Sequence, residues 1–215
     1  MALVDVRQQF QHLVGLYALV GLGVFVIVVG LMGFVVMRFG ARPGRVPSSR
    51  SDAPRLELLY VAVIAVIVVL LLGANYRTES RVDALAARPA LRINAVASDW
   101  RWRFDYPQQG ISEVGPGQSP TDLYVPAGET VEFDLSSLDV LHAFFVPSER
   151  FQRQATPGLT SRFDLAFPTP GVQTSGYCNE FCGLGHTQMR FEVHVLSAPA
   201  FAAWVAQRQR RGGSR

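Results

Sequence analysis

Residues Cys178 to Leu196 read CNEFCGLGHTQMRFEVHVL, and two patterns meet within them. From Phe191 onward, Phe191, Val193 and Val195 alternate with Glu192 and His194, the period of a β-strand with one buried face. Just ahead of that strand stand two cysteines, a histidine and a methionine, spaced Cys-x3-Cys-x3-His-x2-Met. A ligand-rich loop running directly into a half-buried strand predicts an all-β domain that carries a metal centre. His194 belongs to the outer face of the strand and is not counted among the ligands.

Working upstream, the same short-strand texture continues. Runs rich in Val, Phe, Tyr and Leu, broken by Pro, Gly and Ser, occur at Leu91–Ala97, Trp100–Tyr106, Leu123–Pro126, Thr130–Leu135, Val140–Val146, Ser161–Phe167 and Thr174–Cys178. Strands this short between turn signals predict a sandwich or barrel. The Gly/Pro/Ser-rich stretch Gly110–Pro120 reads as a surface loop. Downstream, Ser197 can cap a closing helix that has Pro199 in its first turn and Phe201, Trp204 and Val205 along one face.

The first third of the chain is different. Residues 13–37 are apolar and free of charge, and a bilayer core of about 30 Å needs roughly 20 helical residues. A second uncharged run, Leu58–Ala74, is rich in Val, Ile and Leu and predicts a second span. Between them lie Arg38, Arg42, Arg45, Arg50 and Arg55 against Asp52, which by the positive-inside rule puts that loop in the cytoplasm. The rest of the chain is then extracytoplasmic. The expected organisation is a hairpin over residues 1–76, with spans at about 13–37 and 58–74 and a cytoplasmic loop 38–57, then a linker 77–90, a β domain 91–197, and a helix with a basic tail over 198–215.

Composition narrows the function. All 20 basic residues of the 215 are arginines, yet the formal net charge is only +3. Beyond the short tail Arg208, Arg210, Arg211 and Arg215 there is no basic patch interleaved with aromatics, so nucleic acid is not the partner. Two closely spaced cysteines do not make a disulfide scaffold.

Soft sulfur ligands beside an imidazole select copper or zinc, and His142, within Asp-Val-Leu-His-Ala-Phe, offers another strong ligand. A structural zinc site could take Cys178, Cys182, His186 and His142 in a tetrahedron, leaving Met189 unused. A blue copper site needs one cysteine, two histidines and a weak axial methionine, which leaves a cysteine over. A pair of copper ions bridged by both thiolates uses every group, with one histidine per ion and the weak outer positions left to Met189 and a backbone carbonyl. A Cys178–Cys182 disulfide, ordinary outside the cytoplasm, makes His186 and Met189 a coincidence.

At these residues the chain resembles subunit II of the cytochrome c oxidase family, and its loop resembles that family's binuclear copper A motif. The resemblance extends from the first span to the closing helix. It implies a membrane-anchored all-β protein, a two-helix transmembrane hairpin plus a cupredoxin-like Greek-key β-barrel. It implies His142, Cys178, Cys182, His186 and Met189 as side-chain ligands and Glu180 as a ligand through its carbonyl. The Glu180 side chain would contact a magnesium ion at the boundary with subunit I.

In Trp100-Arg101-Trp102, the resemblance makes Trp100 the surface residue where electrons enter; the two tryptophans are expected on one strand face, with at least one in the core. Glu57 matches a carboxylate that the family associates with the mouth of a proton path, although locally it only suits the start of a helix. Asp139 falls among acids near the donor-docking face. Where relatives usually carry Lys-x-Asp-Ala-x-Pro-Gly-Arg, this chain reads Arg153-Gln154-Ala155-Thr156-Pro157-Gly158-Leu159, and lacks an acid and a base there.

The function so implied is that of subunit II of a haem–copper terminal oxidase in the cell membrane of a prokaryote. It would accept electrons from cytochrome c or a similar carrier and pass them to haem in subunit I, with other oxidase subunits as further partners. Two alternatives keep the copper: the electron-entry subunit of a copper-A-containing nitric oxide reductase, and a membrane-tethered copper or redox carrier without a catalytic partner.

Overall fold

The computed structural model describes residues 6–40, 52–116, 119–171 and 173–212. Arg42, Arg45 and Arg50, which carry most of the expected loop charge, lie outside the described residues, as do Arg215 and part of the 110–120 stretch. The chain divides into a helical unit, residues 10–79, and a second unit that contains everything from Ser80 onward.

Both apolar runs are helices: α1 (Val6–Phe39) has 34 residues and α2 (Pro54–Val82) has 29. At a rise of 1.5 Å per residue, each is long enough to cross a hydrocarbon layer of about 30 Å. Neither helix buries a side chain, and Leu22, Phe25, Met32, Leu59, Val66 and Leu70 are all exposed. A helix apolar all round, without protein cover, suits lipid. Pro54 opens α2, where its missing N–H is no loss, and Glu57 Oε1 accepts the Ala53 amide at 3.4 Å. Because α2 continues to Val82, the first residues of the expected linker are helical.

The β domain begins where the sequence turns to short alternating runs. Its strands, in chain order, are β1 (Leu91–Ser98), β2 (Arg101–Tyr106), β3 (Ile111–Val114), β4 (Thr121–Pro126), β5 (Thr130–Ser137), β6 (His142–Val146), β7 (Phe151–Ala155), β8 (Ser161–Ala166), β9 (Gln173–Cys178) and β10 (Arg190–Leu196). Among the described residues they form two five-stranded sheets, ordered β3-β2-β1-β5-β8 and β4-β10-β9-β6-β7. The all-β expectation therefore takes the form of a two-sheet sandwich. Each sheet contains one parallel pair, β1 with β5 and β4 with β10, and the other pairs are antiparallel.

Two strands depart from the sequence expectation. β3 lies in the stretch read as loop, and β7, Phe-Gln-Arg-Gln-Ala, was not expected. Each is a sheet edge. β3 turns Ile111 and Glu113 inward, so a charge at a buried position hides its alternation. β7 buries only its two end residues.

The inward faces meet in a core built largely of rings. Trp102, Phe104, Phe133, Phe144, Phe163 and Phe191 are fully buried. Phe144 stacks on Phe191 with ring centroids 4.7 Å apart, and Trp102 meets the same two rings edge-on at 5.7 and 5.6 Å. Such pairs exceed simple area burial by about 0.5–1.5 kcal/mol each. The closing helix α3 (Ala198–Gly212) follows Ser197, whose hydroxyl accepts the Ala200 amide at 3.4 Å. It seals one flank by laying Trp204 on Tyr124, centroids 4.7 Å apart, and Arg208 against the inward Glu113 at 2.6 Å.

Candidate metal centre

Three connections meet at one end of the sandwich: the β1–β2 turn, the β5–β6 loop and the β9–β10 loop. Register brings them together, because Ser98 pairs with Arg101, Ala97 with Ser137, and Phe144 with Cys178. Loop-to-loop bonds then tie them. The Leu138 amide donates to Ala97, the Asn179 amide to Ala143 at 3.2 Å, and the Cys178 amide to the Met189 carbonyl at 2.9 Å. That last bond closes the base of the cysteine loop. It lets eleven residues (179–189) leave β9 and re-enter β10.

On this platform the expected ligands form a chain of short contacts. His142 Nδ1 lies 3.7 Å from Cys178 Sγ, Cys178 Sγ lies 3.8 Å from Cys182 Sγ, and Cys182 Sγ lies 3.5 Å from His186 Nδ1. The Glu180 carbonyl oxygen is 3.2 Å from Cys178 Sγ, and Met189 is fully buried beneath the loop. His142, Cys178 and Cys182 present ligating atoms all within 4.8 Å of one another; among the described residues this is the group that could hold an ion, and His186 falls outside it. Both cysteines are free thiols.

The electrostatics favour one thiolate already. Burial pushes the Cys178 thiol up, but hydrogen bonds from His142 and the surrounding main chain outweigh it and bring the group to about 7. Cys182 goes the other way, to about 12, raised first by burial and then by the neighbouring sulfur charge. For Asp139 burial is likewise outweighed, by hydrogen bonds from His142 and from main-chain amides, which hold its carboxyl at about 2. A metal ion would therefore displace a proton from Cys182 and meet an imidazole held by a permanent anion.

Of the remaining expected residues, Trp100 departs from its sequence reading. Trp100 lies in the turn before β2 with φ 62, not in a strand. It therefore does not share a strand face with Trp102: Trp102 is wholly buried while Trp100 is 36% exposed. The Trp100 indole Nε1 donates to the Cys182 carbonyl at 3.2 Å. Asp139, expected near a docking face, turns its carboxylate toward the protein: Oδ1 stands 2.8 Å from His142 Nε2 and accepts the Val140 amide, while Oδ2 accepts the Asp99 amide. Glu180 keeps its side chain half-buried. Glu57 belongs to the helical unit and bonds only its own helix start among the described contacts. His194, left out of the ligand set, pairs with Asp122 at 2.8 Å and stacks on Tyr124.

Sequence reasoning missed Asp139 as the partner of His142 and the close approach of Gly185 to the Trp100 side chain, which leaves no room for a Cβ there. An acid three residues before a candidate ligand was the available signal for the first; the second carries none.

Comparison with known proteins places these features in context. A family model described as cytochrome C oxidase subunit II, periplasmic domain, matches residues 118–196. A probable cytochrome c oxidase subunit 2 of Rickettsia felis is 26% identical over 95% of this chain and 69% of its own length. A probable cytochrome c oxidase subunit 2 of Streptomyces coelicolor is 30% identical over 77% of this chain and 63% of its own length. Among solved structures, the periplasmic domain of subunit II of cytochrome oxidase from Bradyrhizobium japonicum covers 59% of this chain and 99% of itself, with a TM-score of 0.53 at 24% identity. That likeness is one of fold.

Proposed function

We propose that the chain is a member of the cytochrome c oxidase subunit II family, whose periplasmic-domain model matches residues 118–196, and that it is the copper-bearing electron-entry subunit of a haem–copper terminal oxidase. It is a membrane-anchored component of an oxidoreductase complex, with an extracytoplasmic β domain. Its donor would be cytochrome c or a similar carrier, its acceptor haem in subunit I, and its membrane the plasma membrane of a prokaryote.

One observation carries the reading: the run His142, Cys178, Cys182, His186, each within 3.8 Å of the next. Bonds of about 2.3 Å to sulfur and 2.0–2.1 Å to nitrogen would draw all four ligands of a single tetrahedral ion within roughly 4 Å of one another. His186 stands apart from the three-residue group that converges within 4.8 Å. This order of contacts, with the two thiols side by side in the middle and a histidine beside each, favours two ions sharing both thiolates over one zinc or one blue copper.

In that arrangement His142 and His186 would each hold one copper, Cys178 and Cys182 would bridge, and Met189 and the Glu180 carbonyl would fill the weak positions. When bound, such a pair supplies a one-electron acceptor whose charge is spread over two metals. The chain's own residues do the rest. Asp139 fixes the His142 ring so that Nδ1 faces the thiols, the Cys178 amide bonded to Met189 holds the loop closed, and Trp100 covers the Cys182 side. A magnesium ion at the Glu180 side chain would lie on the face toward subunit I.

The test is copper stoichiometry together with electron paramagnetic resonance of the oxidised full chain in detergent. Two coppers per chain sharing one unpaired electron are expected. One copper with a four-line spectrum, or zinc in its place, would overturn the assignment.

A further inference from the structure

The turn that holds Trp100 is unusual. Its φ of 62 lies in the left-handed region, which a bulky side chain rarely occupies. Such conformations persist where the surroundings hold them, and they gather at functional sites. Here the hold comes from the cysteine loop. The indole donates to the Cys182 carbonyl at 3.2 Å, and the ring lies against the backbone of Gly183 and Gly185.

The two glycines are there for different reasons. Gly183 has φ 117, a conformation that itself asks for glycine. Gly185 has φ −92 and ψ 10, which residues with side chains also adopt. Nothing in its own backbone requires glycine. A Cβ placed on it, however, would stand 2.3 Å from Cγ, 2.5 Å from Cδ2 and 2.6 Å from Cβ of Trp100. These are collisions with the root of a side chain whose backbone is already committed, so the ring cannot give way by a small rotation. The bare surface at 185 is fitted to the indole.

We propose that Gly185 is a positioning residue: by lacking a side chain it seats the Trp100 indole on the loop that holds Cys182 and His186, and so fixes the point at which an electron enters. This rests on the electron-entry reading above. In that step a reduced donor gives up one electron to the bound copper, and no bond forms or breaks. The seated indole is one hydrogen bond from the main chain of a ligand; a displaced indole loses that contact.

The experiment compares the full chain in detergent with Gly185→Ala, Trp100→Ala and the double variant. The chain has three tryptophans, hence three indole N–H signals when labelled with nitrogen-15. In the metal-free protein, Gly185→Ala is expected to move the signal that Trp100→Ala removes and to speed its hydrogen exchange, leaving the other two in place. After copper loading, Gly185→Ala should keep the parent's copper content and spectrum while reduction by reduced mitochondrial cytochrome c slows roughly tenfold to a hundredfold, as for a misplaced reacting partner. In the Trp100→Ala background it should add no further loss, since the two changes act through one ring.

An unmoved indole signal, or rate losses that multiply in the double variant, overturns the proposal, because residue 185 would then act on His186 beside it. Should Gly185→Ala impair loading, recovery in the double variant supports the seat and no recovery overturns it. Failure of the parent chain to bind two coppers would remove the electron-entry reading, while the indole measurement would still decide whether Gly185 seats Trp100.

Discussion

Asp139 stands three residues before His142, with Oδ1 2.8 Å from its Nε2. The bond leaves Nδ1 facing Cys178 as the nitrogen free to ligate, and it fixes the plane of the ring. Partners of this kind typically matter by 10–100-fold in metal affinity. Asp139→Asn keeps the size but can present an amide nitrogen to the ring. It is expected to weaken copper retention against a chelator by about 10–100-fold while leaving the KM for a cytochrome donor unchanged. A docking acid would give the opposite pattern, and that result would favour the donor-docking role that the resemblance implies for Asp139. The candidate side-chain ligands could be picked out from the chain because chemistry limits which residue types bind soft metals and the loop packs four of them close together. The support around them could not. Asp139 before His142 fits either role by sequence, and the reason for Gly185 lies in the ring of Trp100, far upstream.

At the scale of elements, alternation was legible in strands that bury several aliphatic or aromatic side chains and illegible in β3, which turns one aliphatic residue and one carboxylate inward. β3 is the instructive case. Its inward Glu113 is 7% exposed and meets Arg208 of α3 through two contacts of 2.6 and 2.7 Å. The pair staples the closing helix to the sheet edge beside Trp204, which stacks on Tyr124 and meets Tyr106 edge-on. The two ends are not equivalent, since the Arg208 side chain is 34% exposed and that of Glu113 only 9%. Arg208→Ala strands a buried carboxylate and is expected to cost roughly 3 kcal/mol in urea unfolding near neutral pH. Glu113→Gln leaves an arginine that can turn to water and should cost less. Burial, only partly opposed by Arg208, already raises the Glu113 carboxyl. Without Arg208 it rises further, so the cost of Arg208→Ala should shrink as pH falls and Glu113 takes up a proton. Equal costs for the two variants, or a pH-independent one, would count against the staple.

For the molecule as a whole, both the apolar spans and the β texture were visible in hydrophobic pattern, while the fastening of residues 83–90 to the domain was not, because it uses single polar contacts. Arg153 on β7 pairs with Asp83, and Asp164 on β8 accepts the Ala86 amide at 2.6 Å. The second clamp has a pH signature. Burial raises the Asp164 carboxyl, and the Ala86 bond offsets this only in part. An acid whose folded pKa exceeds its unfolded value binds its proton more tightly in the folded state. Stability is therefore lost as pH rises from the ordinary aspartate value through the raised one, and above that window the ionised group carries its full penalty. Asp164→Asn keeps an oxygen for the Ala86 amide and has no charge to bury. It is expected to unfold at higher urea than the parent at pH 8 and to lose that advantage at pH 3, where Asp164 is protonated in both states. Destabilisation at pH 8 would mean that the charge on Asp164 strengthens the Ala86 bond by more than its burial costs, and the direction of the shift would have to be reversed.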